Sequence, residues 1–323
     1  MPFPISGRRL APKMRMMITK MISISGRPIG PKSAMRPMRF SFLLAILALT
    51  SATTAEVTHA QFATRVNQVE VYASVTDLGG RPVKDLPREA FSILEDDKRQ
   101  AITTFIAGDF PVSVALAIDR SASMKGRPLN TARTAGRAFV AGLRPEDRAM
   151  LIGISSEVEV LAPLSADKAP IYKALDAVDP WSATSLHDAI IRSLDLLEGE
   201  TGRRAIVLLS DGEDRYSEAT AEAVLEHARR SDVMIYPIAI GKKRAPLFAE
   251  LAAISGGRSF HLRDVRELQA TLKTIADDIR SQYLIGYAPS EAWSGEEAEW
   301  RSIAVRVNRP DVKVRARSGY STR

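Results

Sequence analysis

Val112-Ser-Val-Ala-Leu-Ala-Ile118 runs straight into Asp119-Arg-Ser121-Ala-Ser123, and this join decides the fold. An apolar run of that length, closed by polar turn residues, predicts a buried strand. Where the strand runs out, a carboxylate and two hydroxyls stand at i, i+2 and i+4. Their oxygens converge on one point only if the backbone turns there as a tight loop. Oxygen-only donors suit a hard divalent cation, Mg²⁺ or a close relative, and suit zinc or copper poorly.

Strands and helices alternate on the C-terminal side of this join. The pattern predicts a helix over 128–143, a strand over 148–154 and a short strand over 158–161, placed as an antiparallel edge. A helix over 168–178 ends at Asp179-Pro180. Leu186, Ile190, Leu194 and Leu197 fall on one face of a helix over 186–197. A buried strand over 204–209, a helix over 218–230, a strand over 233–240 and a helix over 247–254 follow. The Gly256-Gly257 turn, a strand over 259–261 and a helix over 265–281 complete the series. Such alternation implies a doubly wound, mainly parallel α/β sheet covered on both faces.

Both flanks read as β. On the N-terminal side, Val69–Val75 alternates, Asp77-Leu-Gly79-Gly80 is a turn, 86–91 is a single helical turn, and 92–95 and 101–106 are strands around Asp96-Asp97. The C-terminal end offers period-two segments over 282–287, 302–307 and 312–317. Neither set is large enough alone, so the economical expectation is one small β-sandwich made by both flanks, with the α/β domain inserted between them. The expected division is 61–110 and 282–323 for the sandwich and 111–281 for the α/β domain.

Two further segments join the first motif. Ser182-Ala-Thr184-Ser-Leu-His-Asp188 precedes a helix, and Leu208-Leu-Ser-Asp211-Gly-Glu-Asp214 follows a buried strand. In open α/β sheets, ligands bind at the carboxyl ends of strands near the point where strand order reverses, and these loops obey that rule. Together the three segments resemble the metal-ion-dependent adhesion site of von Willebrand factor type A domains, including bacterial exported proteins with similar flanks. The resemblance implies a Rossmann-like fold and a cation, Mg²⁺ or alternatively Mn²⁺ or Ca²⁺. It also implies direct coordination by Ser121 and Ser123, with Thr184 joining directly or through a water, while Asp119 and Asp211 act mainly through waters. The family usually places a glycine before that threonine; here Ser182-Ala183 precede it.

With uncharged hydroxyls as direct donors, the cation stays electrophilic and favours an anionic oxygen from outside, such as a partner protein's Asp or Glu. Thr184 also suits an N-cap for the following helix. Asp188 reads as a loop brace, and Glu213 and Asp214 as solvated or rim residues. The expected function is metal-dependent protein recognition. The alternatives are a Mg²⁺-dependent hydrolase and a structural module whose metal site is vestigial.

Enzyme signatures are weak. Gly153-Ile-Ser155-Ser-Glu157 lacks the final glycine of a nucleophile elbow. His59, His187, His227 and His261 are scattered, and there is no H-E-x-x-H. His187 lies nearest the motifs, where a rim position facing a ligand is expected ahead of catalysis. Cysteine is absent, which removes disulfides, thiolate metal sites and a thiol nucleophile.

The net charge of +7 is unevenly spread. Residues 1–39 hold nine Lys or Arg and no acid, so the remainder is +7 − 9 = −2. The high pI therefore gives no case for nucleic-acid binding. Arg36-Pro-Met38-Arg39 before Phe40-Ser-Phe-Leu-Leu-Ala-Ile-Leu-Ala-Leu49, then small residues, has the shape of an export signal over 35–60, with Thr58-His-Ala60 as the neatest cleavage point. Its apolar core is short for a membrane span. Residues 1–34 lack hydrophobic periodicity, which suits a disordered tail or a mis-assigned start ahead of Met35 or Met38. The expected location is outside the cytoplasm: periplasm, cell envelope or extracellular space.

Overall fold

The computed structural model describes residues 68–108, 110–291 and 298–322. The readings made for residues 1–60 lie outside them. The N-terminal flank forms β1 (Val69–Asp77), β2 (Phe91–Glu95), β3 (Lys98–Gln100) and β4 (Ile102–Ala107), with a 3₁₀ turn over Arg88–Ala90. The α/β part follows as β5 (Val112–Asp119), α1 (Arg127–Ala141), β6 (Arg148–Ile154), β7 (Val158–Ser165), α2 (Ala169–Ala177), α3 (Leu186–Leu197) and β8 (Arg203–Ser210). It continues through α4 (Ala221–Arg230), β9 (Met234–Ile240), α5 (Pro246–Ser255), β10 (Phe260–Leu262) and α6 (Leu268–Arg280). The returning flank supplies β11 (Tyr283–Tyr287), β12 (Trp300–Val307), β13 (Val312–Arg315) and β14 (Gly319–Ser321).

The central sheet runs β10-β9-β8-β5-β6-β7, parallel except for the antiparallel edge strand β7. Counted from β5, this is the doubly wound 3-2-1-4-5-6 order, with its switch point between β5 and β8. β5 is buried along all eight residues, so its alternating side chains serve two cores. Val114, Leu116 and Ile118 pack with α1, α2 and α6, whereas Ala115 and Ala117 face α3, α4 and α5. Each fully buried Leu or Ile here contributes roughly 1.5–3 kcal/mol. The parallel register sets Asp119 beside Ile154 of β6 and one step beyond the Ile118–Leu209 pair of β8. Asp119 and Ser210 therefore reach the same rim of the sheet.

The flanks interleave as expected. One sheet has the order β13-β1-β11-β4 and the other β14-β12-β2-β3, so each mixes N- and C-terminal strands. Their inner faces share one core containing Val71, Ala73, Phe91, Ile93, Ile285 and Tyr287. Phe91 packs against Tyr283 with ring centroids 4.8 Å apart, and against Phe105 at 5.1 Å. Across this core, buried Glu95 accepts hydrogen bonds from Tyr287 Oη at 2.6 Å, Tyr320 Oη at 2.9 Å and Arg301 at 3.0 Å.

The last helix is tied to the sandwich by polar contacts. Asp278 of α6 accepts from Tyr236 Oη of β9 at 2.9 Å and from Ser74 Oγ of β1 at 3.3 Å, and it pairs with Arg315 of β13. Arg203, fully buried at the start of β8, donates to the carbonyls of Ile279 and Gly108 and lies under the rings of Tyr72 and Phe110. Burial lowers its pKa to about 10.

Candidate metal centre

Three loops meet at the carboxyl rim of β5 and β8. The first, Asp119–Ser123, leaves β5 and enters a 3₁₀ turn over Ala122–Met124. Asp119 is fully buried: one carboxylate oxygen accepts from Ser121 N at 2.8 Å and the other from Ser210 Oγ at 2.7 Å. The turn brings the Ser121 and Ser123 hydroxyls to 3.0 Å from each other. Burial pushes the Asp119 carboxyl above the usual aspartate range; hydrogen bonds from Ser121 and Ser210 oppose that rise, and the negative charge of Asp211 adds to it.

The second loop is cross-tied to the first. Ala122 N donates to Ser182 O at 3.0 Å, and Trp181 N donates to Arg120 O at 2.7 Å. Ser182 adopts φ +46°, a left-handed conformation that glycine usually supplies. This chain therefore reaches the turn before Thr184 with a serine, two residues ahead of the threonine. Thr184 is buried, and its carbonyl accepts from Arg215 N at 3.0 Å and Tyr216 N at 3.1 Å. Its hydroxyl has no hydrogen-bond partner among the described residues.

The third loop follows β8. Asp211 is partly exposed and accepts from Glu213 N at 3.0 Å. Gly212 takes φ +82°, and a Cβ there would meet the Ala245 Cβ at 2.5 Å, so both conformation and space call for glycine. Ser210 donates to Asp119 and accepts from Gly212 N at 3.0 Å. That bridging serine was not singled out from the sequence, although a polar residue ending an apolar strand just before Asp211 could have marked it.

Residues around the motif are structural. Asp214, expected at a solvated rim, instead caps α3: it accepts from Leu186 N at 2.7 Å and His187 N at 3.2 Å. A carboxylate there satisfies free helix N–H groups and opposes the helix dipole. The cap role considered for Thr184 thus falls to a residue 30 positions away in the chain. Asp188 braces the following loop by accepting from Glu218 N and Ala219 N, each at 3.0 Å. The His187 Nδ1 lies 3.0 Å from Ala219 O and 3.7 Å from Asp214 Oδ2.

The donor set, hydroxyls and carboxylates, fits a hard cation. The Ser121 and Ser123 hydroxyls are hydrogen-bonded to each other at 3.0 Å, and buried Asp119, with no cationic partner among the described residues, stands behind them. No group of three or more His, Cys, Asp or Glu among the described residues could hold a metal ion. Here the loops set two serine hydroxyls and the Thr184 hydroxyl near the carboxylates of Asp119 and Asp211.

Residues 114–213 match the von Willebrand factor type A domain family. Inter-alpha-trypsin inhibitor heavy chain H4 of Homo sapiens is 27% identical over 134 residues, 38% of this chain and 14% of that protein. The Bos taurus protein of the same name is 27% identical over 136 residues, again 38% of this chain and 15% of its own length. The chain thus matches only a small part of these relatives. Among solved structures, a von Willebrand factor type A protein from Catenulispora acidiphila aligns with a TM-score of 0.50 and 12% identity, covering 70% of this chain and 71% of that one.

Proposed function

We propose that this chain, whose central part is a von Willebrand factor type A domain, is an exported recognition module that binds a protein partner through a divalent cation. Ser121, Ser123 and Thr184 would hold the ion by their hydroxyls, and Asp119 and Asp211 would supply the balancing negative charge. When bound, the cation offers an electrophilic position to an Asp or Glu carboxylate of the partner. Oxygen-only donors suit Mg²⁺, or alternatively Mn²⁺ or Ca²⁺. The observation that carries this reading is the 3.0 Å pair of serine hydroxyls in front of buried Asp119.

The chain's own residues favour recognition over catalysis. Asp188 and Asp214 are spent on backbone N–H groups, and the His187 Nδ1 lies 3.0 Å from the Ala219 carbonyl, so these three side chains brace the loops beside the site. Export rests on the charge-led apolar segment over 35–60. Titration calorimetry tests the metal site. Mg²⁺ and Mn²⁺ are expected to bind the wild type with modest affinity and to give no heat of binding with Asp119→Ala. Equal binding by both proteins would refute the assignment.

A further inference from the structure

A cleft of about 560 Å³ opens beside the metal loops, with Ser123 and Asp211 in its wall. That volume lies in the range of sites that take a small ligand or a few side chains. Its charge is not balanced within the chain. Of its three carboxylates, Glu213 is held by Arg215 at 2.6 Å and Lys243 at 2.7 Å, and Asp264 is held by Arg266. The third, Asp211, belongs to the metal site.

Arg127, Lys242 and Arg263 also line the cleft and are exposed. None of them has a carboxylate within 4.0 Å among the described residues. A divalent cation would cancel the two charges of Asp119 and Asp211. Three cationic side chains would then stand without a close ion-pair partner among the described residues, on one face of a chain that is near neutral beyond its first 39 residues. Exposed cations gathered in a concave surface attract anions over about a Debye length and select against cationic partners.

Resting on the metal-site reading above, we infer that the partner's docking segment is an acidic run rather than a single acid: one carboxylate meets the cation, and further carboxylates enter the cleft beside Arg127, Lys242 and Arg263. Trp181 and Tyr216, the large exposed aromatics on the neighbouring loops, do not line this cleft, so its selectivity is one of charge.

The test uses the full chain and three fluorescent peptides of equal length in a Gly/Ser background. One carries a single Asp, one the same Asp with two nearby Glu, and one has Gln in place of every acid. Anisotropy is read in Mg²⁺ at low and high salt, and in EDTA. The acidic-run peptide is expected to bind about tenfold tighter than the single-Asp peptide at low salt. That gain should vanish in high salt and in a Lys242→Glu, Arg263→Glu double variant. The single-Asp peptide should bind wild type and variant within about twofold, and the Gln peptide neither.

Equal affinity for the single-Asp and acidic-run peptides would overturn the cleft while leaving the metal reading intact. Undiminished binding of the acidic run in EDTA would overturn the shared docking. Failure of the acidic peptides to respond to Mg²⁺ at all would bring down both. Because Lys242 and Arg263 are exposed, a Lys242→Gln, Arg263→Gln variant keeps the fold and should lose part of the gain, which separates charge from misfolding.

Discussion

Glu95 in the sandwich and Asp119 in the α/β sheet are equally hidden, 2% and 0% exposed, yet they keep different company. Glu95 has an arginine and two tyrosine hydroxyls within 3.0 Å, so its charge is compensated by side chains of the same chain. Asp119 has a backbone N–H and one serine hydroxyl, and Asp211 adds a like charge nearby. A buried carboxylate left without a cation is unfavourable, and is relieved by taking up a proton or by a cation from outside. The first acid is complete as part of the structure; the second is the feature that points outward.

The largest expected effect falls on the completed acid. Glu95→Ala leaves Arg301, which is itself mostly buried, with only the exposed Glu299 at 3.5 Å, and removes the partner of two tyrosines. Loss of one member of a buried ion pair costs about 3–5 kcal/mol. Urea unfolding should show this loss equally in Mg²⁺ and in EDTA. A loss below about 1 kcal/mol would show that the sandwich does not depend on this pair, and the contrast would fail from that side.

Asp119 should behave in the opposite way. In EDTA, Asp119→Asn removes a buried charge that nothing cationic compensates, so metal-free stability should hold or rise slightly. In Mg²⁺ at a hundredfold excess over Kd, the wild type should gain about 2.7 kcal/mol by mass action, and the Asn variant nothing. Thermal melts with and without Mg²⁺ read both arms. A variant that loses several kcal/mol in EDTA would make Asp119 a structural acid like Glu95.

The two acids were unequally legible in the sequence, for a physical reason. Asp119, Ser121 and Ser123 are chain neighbours, so a short motif after an apolar run already put their oxygens together. Both ends of β6 and of α3 were also read from the sequence, because full burial and helical spacing are local signals. Glu95 looked like an ordinary strand end, since Tyr287, Arg301 and Tyr320 lie about 200 residues away. The three-residue strands β3 and β14 carry too few residues for a period and exist only through pairing with β2 and β12. β7 extends to Ser165, past the expected end at 161, through two register shifts against β6.

The smallest effect concerns Asp214, a partly exposed acid that contrasts with both. Its Oδ1 accepts the first N–H groups of α3 and is held in turn by Ser217 Oγ at 2.5 Å. Asp214→Ala leaves those N–H groups unsatisfied, which costs about 1 kcal/mol, as for other N-terminal caps. The hydroxyl pair and Asp211 depend on other contacts, so Mg²⁺ affinity should change less than about twofold. The paired measurement is a urea midpoint and a Mg²⁺ titration on the same variant. If affinity fell tenfold while stability held, Asp214 would belong with Asp119 as an acid of the site rather than of the helix, and the boundary between structural and cation-seeking carboxylates would have to be drawn inside the third loop.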